Sequence, residues 1–186
     1  MLGDTLEAIA TEKLAVARPG AIVVLPDPTF AHLVPENAVV LGGAREAAEA
    51  FVGHAIDAAP TVSLPGRLER REGEIRDGAH NPDGARHLVD QLDGVDYTVV
   101  ASILADKNVD EMLGTLRRAG RRFVATRSSS PRALPAAELA GLARGRFDHV
   151  EVVDDPVAAV ARAHELGEPV LVTGSLYLLG DLAQSE

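Results

Sequence analysis

The chain has 186 residues, 46% of them hydrophobic, enough for one substantial soluble domain plus part of another. Its 18 Lys and Arg against 28 Asp and Glu give a net charge of −10; no basic stripe with interleaved aromatics suggests nucleic-acid binding, and no apolar run reaches the ~18 residues of a membrane span. Cysteine is absent, which excludes disulfides and thiolate metal sites, and aromatics are only 3%, so the core must be aliphatic, as in buried parallel sheets.

Met1 leads straight into a polar, helix-forming segment, so no signal peptide is read and a cytoplasmic location is expected. Asp4 or Thr5 caps a helix with apolar positions Leu6, Ile9, Ala10, Leu14 and Ala17, stopped by Pro19-Gly20. Residues 21–25 read as a buried strand with no parallel partner nearby in sequence. Residues 26–37 are Pro-rich and irregular, 38–41 are apolar and short, and 44–58 form an Ala-rich helix. The linker at residues 61–65 divides the chain into 1–62 and 63–186.

Beyond it, residues 67–69 and 74–76 flank Gly73 as a hairpin. Strands at 97–104, 123–126, 150–153 and 169–172 then alternate with helices at 82–92, 109–119, 136–143, 156–166 and 176–183. Asn81 and Pro82 fit the N-cap and first position of the first of these helices. The alternation predicts an α/β fold: a mostly parallel sheet with helices on both faces, which binds ligands beyond the carboxyl ends of its strands.

Several candidates sit at such ends. Asp77-Gly78-Ala79-His80-Asn81-Pro82 joins a strand to a helix, where Asp77 and His80 can face one site and the helix amino terminus favours anions. The same spacing fits a capped helix with a solvated histidine. Arg67, held in Pro65-Gly66-Arg67-Leu68, suits phosphate or adenine recognition or is a surface arginine. Ser175 in Thr173-Gly174-Ser175 offers a hydroxyl to a ligand or caps the last helix. Lys107 can meet a carboxylate or phosphate or stay in solvent. No phosphate-binding Gly-x-x-x-x-Gly-Lys-Ser/Thr loop occurs, and none of the six histidines shows paired zinc-ligand spacing.

Taken in order, Pro65-Gly66-Arg67-Leu68-Glu69, Asp77-Gly78-Ala79-His80-Asn81-Pro82, Asp106-Lys107, Pro131-Arg132-Ala133 and Thr173-Gly174-Ser175-Leu176-Tyr177 resemble the C-terminal domain of folylpolyglutamate synthase/dihydrofolate synthase, of the Mur ligase superfamily. The segment from Leu2-Gly3-Asp4 to Lys13 is similar to a helix late in that family's ATPase domain, although Leu14-Ala15-Val16 departs from its pattern. The resemblance implies ATP- and Mg2+-dependent amide formation between a folate or pteroate carboxylate and glutamate, through an acyl phosphate. It implies that Arg67 and Asp77 contact the nucleotide, that His80 and Asp77 are catalytic, that Ser175, His80 and Lys107 hold glutamate, and that Lys13, if carbamylated, helps bind the metal. The family's phosphate loop and metal-binding Asp-His pair belong upstream of the segment similar to Leu2-Gly3. Residues 1–62 then read as a truncated remnant of the ATPase domain, and the chain is expected to bind no cofactor tightly and to be inactive alone. The missing ATPase half is an expected partner. The rival reading is a non-catalytic α/β ligand-binding module or a gene remnant.

Overall fold

The computed structural model describes residues 5–57 and 63–185. The chain forms two compact units, Met1–Thr61 and Val62–Glu186. Leu2, Gly3 and Asp4 of the family-like segment, and Thr61 of the expected linker, lie outside the described residues.

In the first unit, helix α1 spans Leu6–Leu14, and Thr5 caps it by accepting a bond from Ala8 N at 3.1 Å. Strand β1, Ile22–Leu25, pairs in parallel with β2, Ala38–Leu41, over four residues beginning at Ile22↔Ala38. This corrects the expectation that residues 21–25 lack a parallel partner. The Pro-rich connection contains a 3-10 turn, Pro28–Leu33, capped by the Asp27 carboxylate, and returns the chain to the starting end. Helix α2, Ala44–Val52, stops short of residue 58 because Gly53 takes the left-handed conformation at φ 78°. Parallel sheets are normally covered on both faces. Here Ile22 is 52% and Phe51 92% exposed.

The second unit holds a six-stranded sheet in the order β3-β4-β8-β5-β6-β7. Its elements are β3 Glu69–Arg71, β4 Glu74–Arg76, α3 Pro82–Asp90, β5 Thr98–Ala101, α4 Val109–Leu116, β6 Arg122–Ala125, α5 Ala136–Ala143, β7 His149–Val152, α6 Pro156–Leu166, β8 Val170–Thr173 and α7 Leu176–Ala183. Only β3 runs antiparallel to its neighbour. Successive residues of the central strands face opposite cores. Val99, Ala101 and Phe123 pack with residues of α3, α4 and α5; Val100, Val124 and Val172 pack with residues of α6 and α7. The expected α/β fold with helices on both faces is the observed one.

Two boundaries differ from expectation for physical reasons. The first hairpin strand begins at Glu69 rather than Arg67, because Leu68 takes φ 45° and Gly66 N donates to the Glu69 carboxylate at 2.8 Å, which closes a turn over residues 65–68. The third strand ends at Ala101 rather than residue 104. Leu104 peels away to bridge Ala133, and Leu134 N bonds Ile103 O at 3.0 Å.

At the amino-terminal end of β4, His164 of α6 hydrogen-bonds Glu74 at 3.2 Å through Nε2 and Glu168 at 2.8 Å through Nδ1, and buried Glu74 is also paired with Arg76. Burial disfavours the charged imidazole, but the hydrogen bonds to Glu168 and Glu74 outweigh it, and the His164 pKa is raised above its ordinary 6.5. A group whose folded pKa exceeds its unfolded value contributes stability that is complete below the unfolded pKa and is lost as pH rises through the folded one. The protein should therefore lose melting temperature through this group as pH rises from the ordinary histidine range through the raised folded pKa, and His164→Gln should flatten that slope. Matching pH profiles for the two proteins would contradict this.

Candidate functional site

Strands β4, β8 and β5 are consecutive in the sheet, and their carboxyl ends bring three loops to one edge. The turn after β4 and the turn after β8 are bonded to each other. Asp77 N donates to Val172 O at 3.0 Å, and Gly174 N to Ala79 O at 3.0 Å. The loop after β5 follows directly, with Ser102 N donating to Thr173 O at 3.4 Å. The helices after β4 and β5 lie on one face and the helix after β8 on the other. Opposite exits of this kind open a crevice at a topological switch point.

The Asp77 carboxylate organises the rim. One oxygen accepts from Ala79 N and the other from Leu68 N, both at 2.8 Å, and Gly78 N donates to Gly66 O at 2.8 Å. Asp77 therefore fixes the Pro65–Leu68 turn against its own turn. A Cβ at Gly78 would stand 2.2 Å from a terminal methyl of the Leu176 side chain, so any larger residue there has to push that side chain aside. The result is that Arg67 is exposed on a small turn with no side-chain partner among the described residues, beside a cavity of about 310 Å3 lined also by Leu68, Asp77, Ala79, His87 and Gln91.

His80 is half-buried, and its Nδ1 lies 2.8 Å from Gly78 O. A carbonyl only accepts, so Nδ1 carries the proton, and in the neutral ring Nε2 keeps the lone pair. Asn81 caps α3 through its side chain, accepting from Gly84 N at 2.7 Å, with Pro82 at the first helical position. Lys107, in the β5–α4 loop, is 3.2 Å from Asp106, and Asp106 also meets Arg132 at 3.1 Å. The Lys107 ammonium, then Arg132, hold the Asp106 carboxyl below its usual range. Ser175 is 1% exposed and its hydroxyl accepts from Tyr177 N at 3.1 Å, so the group offered to a ligand by sequence serves as the α7 cap. Lys13 is exposed in the last turn of α1, and among the described residues no cluster of three His, Asp or Glu could hold a metal with it.

Arg67, Asp77, His80, Ser175 and Lys107 thus share one end of one sheet, whereas Lys13 belongs to the other unit. Sequence reasoning missed the Asp106–Arg132 pair. The two residues are 26 apart, and only the Leu104–Ala133 bridge brings their loops together.

A mostly parallel sheet flanked by helices on both faces is the fold of the Mur ligase C-terminal domain. Residues 66–176, more than half of the chain, match the family "Mur ligase, glutamate ligase domain", and the chain belongs to that family in a folylpolyglutamate synthase-like form. It is 35% identical to the folylpolyglutamate synthase of Lacticaseibacillus casei over 129 residues, 65% of this chain and 29% of that protein. It is 41% identical to the dihydrofolate synthase/folylpolyglutamate synthase of Mycobacterium tuberculosis over 93 residues, 46% of this chain and 19% of that protein. The chain thus spans less than a third of the length of these curated relatives. Among solved structures, the fold is similar to M. tuberculosis folylpolyglutamate synthase complexed with ADP and AMPPCP (TM-score 0.82, 23% identity, 100% of this chain and 60% of that one). It is also similar to E. coli FolC in complex with DHPP and ADP (TM-score 0.81, 18% identity, 99% and 57%).

Proposed function

We propose that this chain is the glutamate-accepting portion of an ATP-dependent folylpolyglutamate/dihydrofolate synthase-type ligase, acting on soluble folate or pteroate and glutamate in the cytoplasm, and that it is inactive without an ATPase half. The observation that carries the reading is the rim built by Asp77, which presents an unpaired Arg67 and the free Nε2 of His80 at the same strand ends.

In this reading ATP supplies the activation of the folate carboxylate. Arg67 meets the nucleotide as a fixed guanidinium, and Asp77 positions it. The His80 lone pair takes a proton from the attacking ammonium or amine, held in place by the Gly78 carbonyl. Lys107 faces a glutamate carboxylate, with Asp106 and Arg132 fixing its loop. Ser175 shapes the rim by starting α7. The described residues do not supply a magnesium cage around Lys13. Carbamylated Lys13 would need further donors from an ATPase half, and no step here is routed through it. A partly covered surface of β1 and α2 is what such a half would cover: Ile22, Val24, Ala47, Ala50 and Phe51 line a cavity of about 500 Å3 there.

The nucleotide contact is testable in the chain as it stands. Titration with ADP should shift the amide resonances of Leu68, Ala79, Gly84 and Gln91 with a Kd on the order of 1 mM, and Arg67→Ala should weaken binding about tenfold. Unchanged affinity in Arg67→Ala, or no shift at these amides, would overturn the assignment of Arg67.

A further inference from the structure

We propose a second small-molecule site in this domain, at the carboxyl ends of β6 and β7, which takes an α-amino acid bearing no net negative charge. The proposal goes beyond the ligase reading and does not rest on it.

The topology creates the site. The chain leaves β6 for α5 on one face of the sheet and leaves β7 for α6 on the other. The helices that follow two adjacent strands thereby sit on opposite faces, as they do at β8 and β5, and ligands settle beyond the carboxyl ends of such strands. A cavity of about 550 Å3 lies there, a volume typical of small-molecule sites. Its walls come from three elements: Arg127 and Ser128 after β6, Asp154 and Asp155 after β7, and Asp181 of α7.

The rim is pinned. Arg127 N donates to Asp154 O at 3.3 Å, and the Thr126 hydroxyl donates to the same oxygen at 3.0 Å. Buried Ser128 is tied to buried Ser102, with its N donating to the Ser102 hydroxyl at 2.9 Å. The Asp181 carboxylate accepts from both N and Oγ of Ser129, at 2.7 and 2.6 Å. The Asp155 carboxylate caps α6 by accepting from Ala158 N at 2.8 Å.

Two charges are left over. Arg127 and Asp154 both line the cavity and both are exposed, and their side chains form no ion pair with each other or with any other described residue. Most arginines of this domain are paired with carboxylates; this one faces an opening. A free cation and a free anion on opposite strands of one crevice complement a molecule carrying both a carboxylate and an ammonium group. Arg127 receives the carboxylate in a two-pronged contact, and Asp154 receives the ammonium. Pro156 and Val157 give the α-carbon and an aliphatic stem an apolar wall. The lining carries one positive and three negative side chains, so a ligand with an extra carboxylate is repelled and one with an extra ammonium is favoured. This sets the crevice apart from the rim at β4, β8 and β5, where the unpaired side-chain charge is Arg67.

The test is an amide-resonance titration of the isotope-labelled 186-residue chain with L-lysine, L-alanine, L-glutamate and n-butylamine at constant pH and ionic strength. L-Lysine should give saturable shifts at Arg127, Ser128, Asp154, Asp155 and Val157, with L-alanine weaker and L-glutamate weakest. Arg127→Ala and Asp154→Asn, both surface changes, should each weaken L-lysine about tenfold while the rest of the spectrum stays fixed. The proposal is overturned if shifts at these amides do not saturate by about 20 mM, if L-glutamate binds there as tightly as L-lysine, or if n-butylamine matches L-lysine, which would leave only an acidic patch. Glutamate shifts confined to Lys107 and its neighbours would bear on the ligase reading alone.

Discussion

Asp77→Ala should destabilise the second unit by about 2–4 kcal/mol, because it strips two backbone donors of a charged acceptor at once. The carboxylate accepts from Leu68 N and Ala79 N at 2.8 Å each, and Leu68 is held at φ 45°, a conformation an unsupported leucine abandons. The loss should therefore be local before it is global. Hydrogen exchange at the Leu68 and Ala79 amides should accelerate well below the unfolding transition, and Arg67 should lose its fixed position with them. Asp77→Asn is a strict comparison. Its single carbonyl oxygen can serve Ala79, but its amide group then meets the Leu68 N–H donor to donor, so Leu68 should exchange nearly as fast as in Asp77→Ala. Full protection of Leu68 in both variants would show that Asp77 does not build the rim.

Gly120→Ala should be the more damaging substitution for folding. An added Cβ would sit 1.8 Å from the Tyr97 carbonyl oxygen and 2.7 Å from its carbon, both backbone atoms that cannot swing away. Tyr97 is 2% exposed at the start of β5, and its N–H is bonded to Ala119 O at 3.0 Å, so relief requires β5 and the α4–β6 turn to part. The expected cost is about 3 kcal/mol or more, a drop in melting temperature on the order of 10 °C. Gly114→Ala provides the contrast. It lies in α4 with nothing within 4 Å of the added carbon, and it should stabilise by up to about 1 kcal/mol through helix propensity. Equal melting temperatures for the two variants would contradict the packing described.

The two variants also mark where the sequence is legible and where it is not. Apolar runs at Val99–Val100, Phe123–Val124 and Val170–Val172 announce buried strands, because a strand covered on both faces has no polar alternation to confuse it. Asn81 with Pro82, and Ser175, announce helix starts, because capping depends on neighbours three residues away. What stays hidden depends on distant partners. The place of β8 between β4 and β5, the parallel pairing of β1 with β2, and the meeting of Asp106 with Arg132 leave no mark on local spacing. Asp77 illustrates the limit within the site itself. Its place in an Asp-Gly turn is legible, but the bond from one of its oxygens to the Leu68 amide, nine residues away, is not.

The central claim is that this chain carries the amino-acid side of a ligase and needs an ATPase half to act. An ATP-dependent ligase must cradle phosphates and neutralise the group in transfer, and losing even one oriented donor typically costs about a hundredfold in rate. The most direct measurement is folylglutamate formation from ATP, glutamate and dihydropteroate or tetrahydrofolate by the purified 186-residue chain, alone and with the ATPase portion of a relative added as a separate chain. The account predicts no detectable product alone. Where the added portion restores turnover, His80→Ala should lower it by roughly 100-fold or more, while His149→Ala, exposed on β7 and bonded to Glu151, should leave it unchanged. Turnover by the chain alone, abolished by His80→Ala and so not due to a contaminant, would contradict it.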